Sequence, residues 1–189
     1  ELLEMFPELT GVMVGEGEQT FSRLLEYYPD KEDSGKSLAQ IPGIVYRDER
    51  TGAVCRTGER ELTDLNSIPF FYEDMEDFAN RIVYYESSRG CPYRCSYCLS
   101  SIDKKVRLRS LDLVKKELQF FLDHKVKQVK FVDRTFNCNH AHATAIWQYI
   151  LENDNGVTNF HFEIAADIIT KEELECLGKM RPGQVQLEI

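Results

Sequence analysis

A chain of 189 residues with a formal charge of −9 at pH 7 is long enough to bury about 70% of its unfolded surface. Its sign argues against a broad phosphate-binding face, so nucleic acid is not an expected partner. Apolar residues make up 42% and charged residues 29%, and no apolar stretch approaches the roughly 20 residues that cross a bilayer, so no membrane partner is expected.

In chain order, Gly11–Val14 reads as a strand, 15–19 (GEGEQ) as a glycine turn, and Thr20–Tyr28 as a helix whose positive start Glu16 and Glu18 favour. Residues 29–37 (PDKEDSGKS) are charged and breaker-rich, which marks a loop. The run GIVYRDERTGAVCRT reads as a hairpin turning at Asp48–Gly52. Residues 61–80, containing SIPFFYEDMEDF, lack a single period and read as a connector packed by its aromatics. Then the rhythm changes. Strands are expected at Ile82–Ser87, Gln128–Val132, Asn159–Ala165 and Val185–Ile189. Helices are expected at Leu111–His124 with Ser110 as N-cap, at His142–Glu152, and from Thr170 to about Met180. Thr170 and Glu173 form a capping-box pattern. Alternating strand and helix predicts an α/β fold with a parallel sheet or an incomplete (β/α) barrel of about four units, preceded by a short β/α piece and a hairpin connector. The expected divisions are 1–30, 31–80 and 81–189.

Strand parity adds a clue. Phe160, Phe162 and Ile164 oppose His161, Glu163 and Ala165; Val185, Leu187 and Ile189 oppose Gln184, Gln186 and Glu188. One face is therefore apolar, for helices, and the other polar. A closed eight-strand barrel fills its interior with branched apolar side chains, so strands lined with Glu, Gln and His predict a lumen that holds water or a polar ligand. The competing reading is the exposed face of an open antiparallel sheet.

Three of the six cysteines crowd into RGCPYRCSYC (89–98), as Cys91, Cys95 and Cys98. With no signal peptide the cytoplasm is the expected compartment, where clustered cysteines more often bind metal or do redox chemistry than form structural disulfides. The spacing C-x3-C-x2-C lets three thiolates converge on one inorganic centre. Pro92 stiffens the entry, Gly90 permits close backbone approach, and Arg89 and Arg94 supply compensating charge. Three readings compete. A structural zinc site wants four protein ligands, with Cys138, beside Asn137 and His140, the first candidate for the fourth. A disulfide leaves an odd cysteine. A four-iron cluster on three cysteines leaves one iron open for chemistry.

The segment CPYRCSYC, following a strand that ends ESSRG, resembles the signature of the radical S-adenosylmethionine (SAM) superfamily, with an aromatic, Tyr97, before the last cysteine. The resemblance covers roughly residues 80–189. It implies a partial (β/α) barrel, a [4Fe–4S] cluster ligated by Cys91, Cys95 and Cys98, and SAM bound at the open iron. The implied activity is one-electron reductive cleavage of SAM to methionine and a 5′-deoxyadenosyl radical, with flavodoxin or ferredoxin as electron donor. Tyr97, Asp133, Glu163 and Glu188 are its candidate cofactor contacts. Where many members carry Gly-Gly-Glu, this chain reads Val132-Asp-Arg-Thr-Phe-Asn137, similar to the Asp-x-Thr-Phe form of cobalamin-dependent branches; Asp133 is then the implied partner of the SAM ammonium. VMVGEGEQTFSRLL (12–25) resembles the last strand–turn–helix of the cobalamin-binding domain that precedes many such cores. IPGIVYR and DLNSIPF resemble their connector, which implies cobalamin in the full-length protein. The Asp-x-His-x-x-Gly motif of many such domains is absent from the sequence.

The reading is thus a radical SAM enzyme fragment, inactive alone, with cobalamin-associated methyl transfer in the full-length protein. Radical oxidation or sulfur insertion without methyl transfer is the alternative, and a non-catalytic zinc or iron–sulfur module the third. The first residue is not Met and the last run stops strand-like without a turn, so the chain reads as a piece of a longer protein. Its edge strand is then expected to be covered by a partner chain or by self-association. Cys55 and Cys176 read as packed thiols, His140 and His142 as loop or helix-start residues, and Trp147 with Ile146 and Ile150 as a helix face on the sheet. The substrate is not legible.

Overall fold

The computed structural model describes residues 1–29, 37–103 and 105–189. Most of the expected loop at 29–37 lies outside the described residues. The chain forms two compact units, Glu1–Asp64 and Leu65–Ile189.

The first unit contains a short helix α1 (Leu2–Met5), strand β1 (Gly11–Met13), helix α2 (Glu18–Tyr27) and strands β2 (Ile44–Arg47) and β3 (Val54–Arg56). The three strands pair antiparallel in the order β1-β2-β3, with Val12 opposite Val45 and Tyr46 opposite Cys55. The hairpin turn forms where expected: the Asp48 carboxylate accepts from the Arg50 and Thr51 amides, and Gly52 takes φ 70°. Tyr27, Leu38, Ile41, Ile44 and Tyr46 make a small core with Cys55 packed against it. Glu16 accepts from the Thr63 amide at 2.7 Å, while Glu18 is the first residue of α2.

The second unit opens with the connector and continues through β4 (Val83–Tyr85), β5 (Ser88–Arg89), β6 (Arg107–Leu108), α3 (Leu111–Asp123), β7 (Gln128–Phe131), α4 (His140–Glu152), β8 (Asn159–Glu163), α5 (Lys171–Leu177) and β9 (Val185–Glu188). Strands β4, β7, β8 and β9 form a sheet in that order, every pair parallel. This ladder overturns the open antiparallel alternative. The apolar parity of the strands supplies the core: Val83, Val129, Phe131, Phe160 and Phe162 meet Val114, Leu118 and Phe121 of α3 and Ile146, Trp147 and Ile150 of α4, with Cys176 packed at the margin. Phe162 stacks within 4.4 Å of both Phe131 and Phe136, centroid to centroid. Each such fully buried side chain stabilises the fold by about 1.5–3 kcal/mol.

Differences from the sequence reading have local causes. By compactness the chain divides once, between Asp64 and Leu65. The ladder bonds of β1 go to β2, so the N-terminal strand and the hairpin are one sheet. Phe70 and Tyr72 of the connector pack edge-on against Phe120 and Phe121 of α3. Helix α4 starts two residues early because Asn139 caps it, accepting from the His142 amide at 3.0 Å. Ser110 stands at the start of α3 without a side-chain cap bond; its amide donates instead to Asn66 Oδ1 at 2.7 Å. The Thr170/Glu173 capping box forms as expected. On β9 only Val185 packs on the core, and Leu187 and Ile189, expected on the helix-covered face, are exposed. The seven-residue α5 ends at Leu177, and Leu187 is left 37% and Ile189 88% exposed.

Candidate functional site

The C-terminal ends of β4, β7 and β8 carry the chemistry-bearing residues. After β4 the chain forms a two-residue antiparallel ribbon, β5 with β6, pairing Ser88 with Leu108 and Arg89 with Arg107. The ribbon closes the root of a loop that contains all three clustered cysteines. Gly90 has φ +100°, and a Cβ there would stand 2.5 Å from the Lys105 carbonyl oxygen; glycine is required by both conformation and space. The Cys91 amide donates to Asp103 O at 3.0 Å and the Cys98 amide to Cys95 O at 3.1 Å.

Cys91 is buried, Cys98 half-buried and Cys95 exposed, and none of the six cysteines is disulfide-bonded. Among the described residues no three His, Cys, Asp or Glu side chains are gathered as around an ion; the trio shares a loop without converging. The donor set itself, three thiols within eight residues, fits an iron–sulfur cluster. Burial, and then the charges of Asp167, Cys91, Cys138 and Cys95, push the Tyr93 phenol up. Tyr97 is 91% exposed. Arg89, expected to compensate thiolate charge, instead forks onto Glu86 at 2.6 and 2.9 Å.

The segment after β7 links three strand ends. Asp133 is fully buried: Oδ1 accepts from the Ser87 amide at 2.8 Å, and Oδ2 accepts from the Ser87 and Ser88 hydroxyls at 2.6 Å each. Burial pushes its carboxyl up to about 6 against the opposing pull of those hydrogen bonds. Both carboxylate oxygens of Asp133 are thus engaged by protein donors and shielded from solvent. Its place is a staple between the ends of β4 and β7. Two residues on, Thr135 Oγ1 lies 3.5 Å from Cys91 Sγ. Asn137, also fully buried, exchanges two hydrogen bonds with the Ala165 backbone, each 2.9 Å, reaching the end of β8. Cys138 is half-buried close to Cys91, its thiol pushed up first by burial and then by that neighbour. His140 lies 3.0 Å from Glu173, and His142 is buried on α4.

The polar parity of the sheet assembles a charged band. Lys130 and His161 sit side by side across β7 and β8, as do Glu163 and Glu188 across β8 and β9. Lys130 Nζ is 3.1 Å from Glu188 and 3.9 Å from Glu163; His161 Nε2 is 3.0 Å from Glu188, and Arg134 is 3.4 Å from Glu163. Lys130 holds the Glu188 carboxyl below its usual range. The structure therefore brings Glu163 and Glu188 together on the polar face and leaves Tyr97 on the outer part of the cysteine loop. Sequence reasoning missed Lys130, although its position between Val129 and Phe131 gives the parity. It singled out the ESSRG and Val132–Asn137 stretches that contain Ser87, Ser88, Thr135 and Asn137 but gave those four residues no roles of their own.

A family model described as the radical SAM superfamily matches residues 85–189. The chain belongs to the radical SAM superfamily. An uncharacterized methyltransferase of Pyrococcus horikoshii is 31% identical over 150 residues, 74% of this chain and 31% of the relative. The 2-(S-pantetheinyl)-carbapenam-3-carboxylate methyltransferase of Streptantibioticus cattleyicolor is 25% identical over 142 residues, 69% of this chain and 20% of the relative. Among solved structures, the radical SAM methyltransferase TsrM of Kitasatospora setae, with cobalamin and a [4Fe–4S] cluster bound, matches with a TM-score of 0.73 at 18% identity, covering 98% of this chain and 39% of that one. The cobalamin-dependent radical SAM enzyme OxsB, with aqua-cobalamin and SAM bound, matches with a TM-score of 0.71 at 22% identity, covering 100% and 29%. These likenesses carry the fold. The chain spans less than a third of the length of the curated relatives it matches.

Proposed function

We propose that this chain is part of a cobalamin-associated radical SAM methyltransferase. Residues 65–189 are then the first half of the partial (β/α) barrel, and Cys91, Cys95 and Cys98 the three protein ligands of a [4Fe–4S] cluster. One observation carries the reading: a C-x3-C-x2-C loop, rooted by the β5–β6 ribbon, leaves the C-terminal end of the first strand of a parallel sheet, the end at which β/α folds place their chemistry. When bound, the cluster supplies the electron that cleaves SAM to methionine and a 5′-deoxyadenosyl radical.

The chain's own residues bind and orient. Asp133, through Ser87 and Ser88, fixes where the cysteine loop departs from the sheet. Glu163 and Glu188 present negative charge toward the cationic SAM, and Lys130 keeps Glu188 ionised. Tyr97, exposed on the loop, would contribute a contact to the cofactor. Cobalamin is assigned to the complete protein, with Glu1–Asp64 contributing; the cobalamin bound to TsrM and to OxsB supports this part. An electron donor such as flavodoxin or ferredoxin completes the set.

The test is anaerobic reconstitution of the complete gene product with iron and sulfide. About four irons per chain and 5′-deoxyadenosine on addition of SAM and dithionite are expected, with a cobalamin visible spectrum in the purified protein. One zinc per chain with no iron and no nucleoside would overturn the proposal. Iron and nucleoside without cobalamin would shift it to radical chemistry lacking methyl transfer.

A further inference from the structure

Thr135 occupies the left-handed region, φ 52° and ψ 65°, where a β-branched residue is a true outlier. Such a conformation persists only where the surroundings over-determine it, and here they do. Asp133, two residues before, is locked onto Ser87 and Ser88. Phe136 is buried in the core, and Asn137 is locked onto Ala165. The Cys138 amide closes the turn onto Thr135 O at 3.0 Å. Glycine would take this conformation without strain. What threonine adds is a hydroxyl, 3.5 Å from Cys91 Sγ, within the range of a hydrogen bond to sulfur.

We infer that Thr135 is a positioning residue whose hydroxyl donates a hydrogen bond to the Cys91 sulfur and so sets the reduction potential of the centre that Cys91 ligates. The inference rests on the cluster reading proposed above. A metal-bound thiolate carries no proton, so the hydroxyl is the only possible donor of the pair. Hydrogen bonds to cluster sulfurs are among the determinants of reduction potential. A donor stabilises the reduced, more negative state over the oxidised one, so its removal makes the potential more negative.

The experiment is an anaerobic redox titration of the reconstituted complete gene product, followed by electron paramagnetic resonance, for the wild type, Thr135→Val, Thr135→Gly and Thr135→Ser. Thr135→Val and Thr135→Gly are expected to keep their iron. At a fixed potential their reduced-to-oxidised ratio falls on the order of tenfold, about 59 mV for a one-electron couple. Thr135→Ser keeps the hydroxyl and titrates with the wild type. Should valine fail to fold in the left-handed turn, glycine against serine decides. Wild-type potentials in the hydroxyl-free variants overturn the inference, and so does a potential shift in serine equal to theirs. Loss of iron from both valine and glycine variants overturns it too, in favour of a role in retention. A wild-type protein that takes up no iron sinks the cluster reading itself, and this inference with it, a result visible before any variant is compared.

Discussion

Arg109 and Glu117 form a buried ion pair, with Arg109 Nε 2.9 Å from Glu117 Oε2 and the Tyr85 hydroxyl donating to the same carboxylate oxygen at 2.6 Å. The guanidinium also donates to the carbonyls of Leu65 and Ile68, so a single side chain ties the start of the connector to α3. Glu117 raises the Arg109 guanidinium above its ordinary range, and burial, followed by Glu117, raises the Tyr85 phenol. Removing one member strands the other charge out of water, which costs about 3–5 kcal/mol. Glu117→Ala should lower unfolding stability by that amount in a urea titration, and Arg109→Met combined with Glu117→Leu should recover only part of the loss, because the Tyr85 hydroxyl and the Leu65 and Ile68 carbonyls then lose their partners.

Asp133 gives a pH signature. Its folded pKa of about 6 lies above the ordinary aspartate value of 3.8, so between these values the folded chain binds the proton more tightly than the unfolded chain. The contribution of this group to stability is therefore fully present below about pH 4, falls as pH rises toward 6, and is constant above. The total change is on the order of 3 kcal/mol. Asp133→Asn should remove the slope. The check is the difference in unfolding free energy between wild type and Asp133→Asn from pH 4 to 7, with the wild type losing ground as pH rises.

Among the six cysteines, iron content should separate three from three. Serine at Cys91, Cys95 or Cys98 should each abolish cluster uptake by the reconstituted complete protein. Cys138→Ser, despite its place beside Cys91, should leave iron per chain unchanged, as should Cys55→Ser and Cys176→Ser. Metal analysis on gel-filtered protein checks this, and loss of metal in Cys138→Ser would favour a closed four-ligand site.

Gly90→Ala tests the root of the loop. The added methyl would meet the Lys105 carbonyl at 2.5 Å, on a residue with φ +100°. The expected outcome is a loss of about 1–3 kcal/mol local to the loop, read as faster amide hydrogen exchange at Cys91, with amides of β7 and β8 unchanged.

Much of the sheet was legible because β7 and β8 alternate cleanly, and because Thr170 with Glu173 announces a helix start in sequence alone. The cysteine loop was legible from spacing. Less visible were contacts that depend on where distant segments meet. Nothing in Asp133 by itself says that Ser87 and Ser88 will take both of its oxygens, and nothing in Arg89 says that it will fork onto Glu86, three residues back. The pairing of β1 was hidden for a related reason: β1 looks like any short strand, and only its register with Ile44–Tyr46 makes it the hairpin's third member.

The ribbon that pairs Ser88 with Leu108 and Arg89 with Arg107 is held by the protein's own groups, its main-chain bonds joined by the Ser88 hydroxyl on Asp133, so its formation asks for no inorganic partner. Acquisition of the framework and acquisition of the metal are thereby separable in time. Chains made in iron-starved cells should accumulate with an intact strand-and-helix body, ready for later loading, and should not be lost to unfolding.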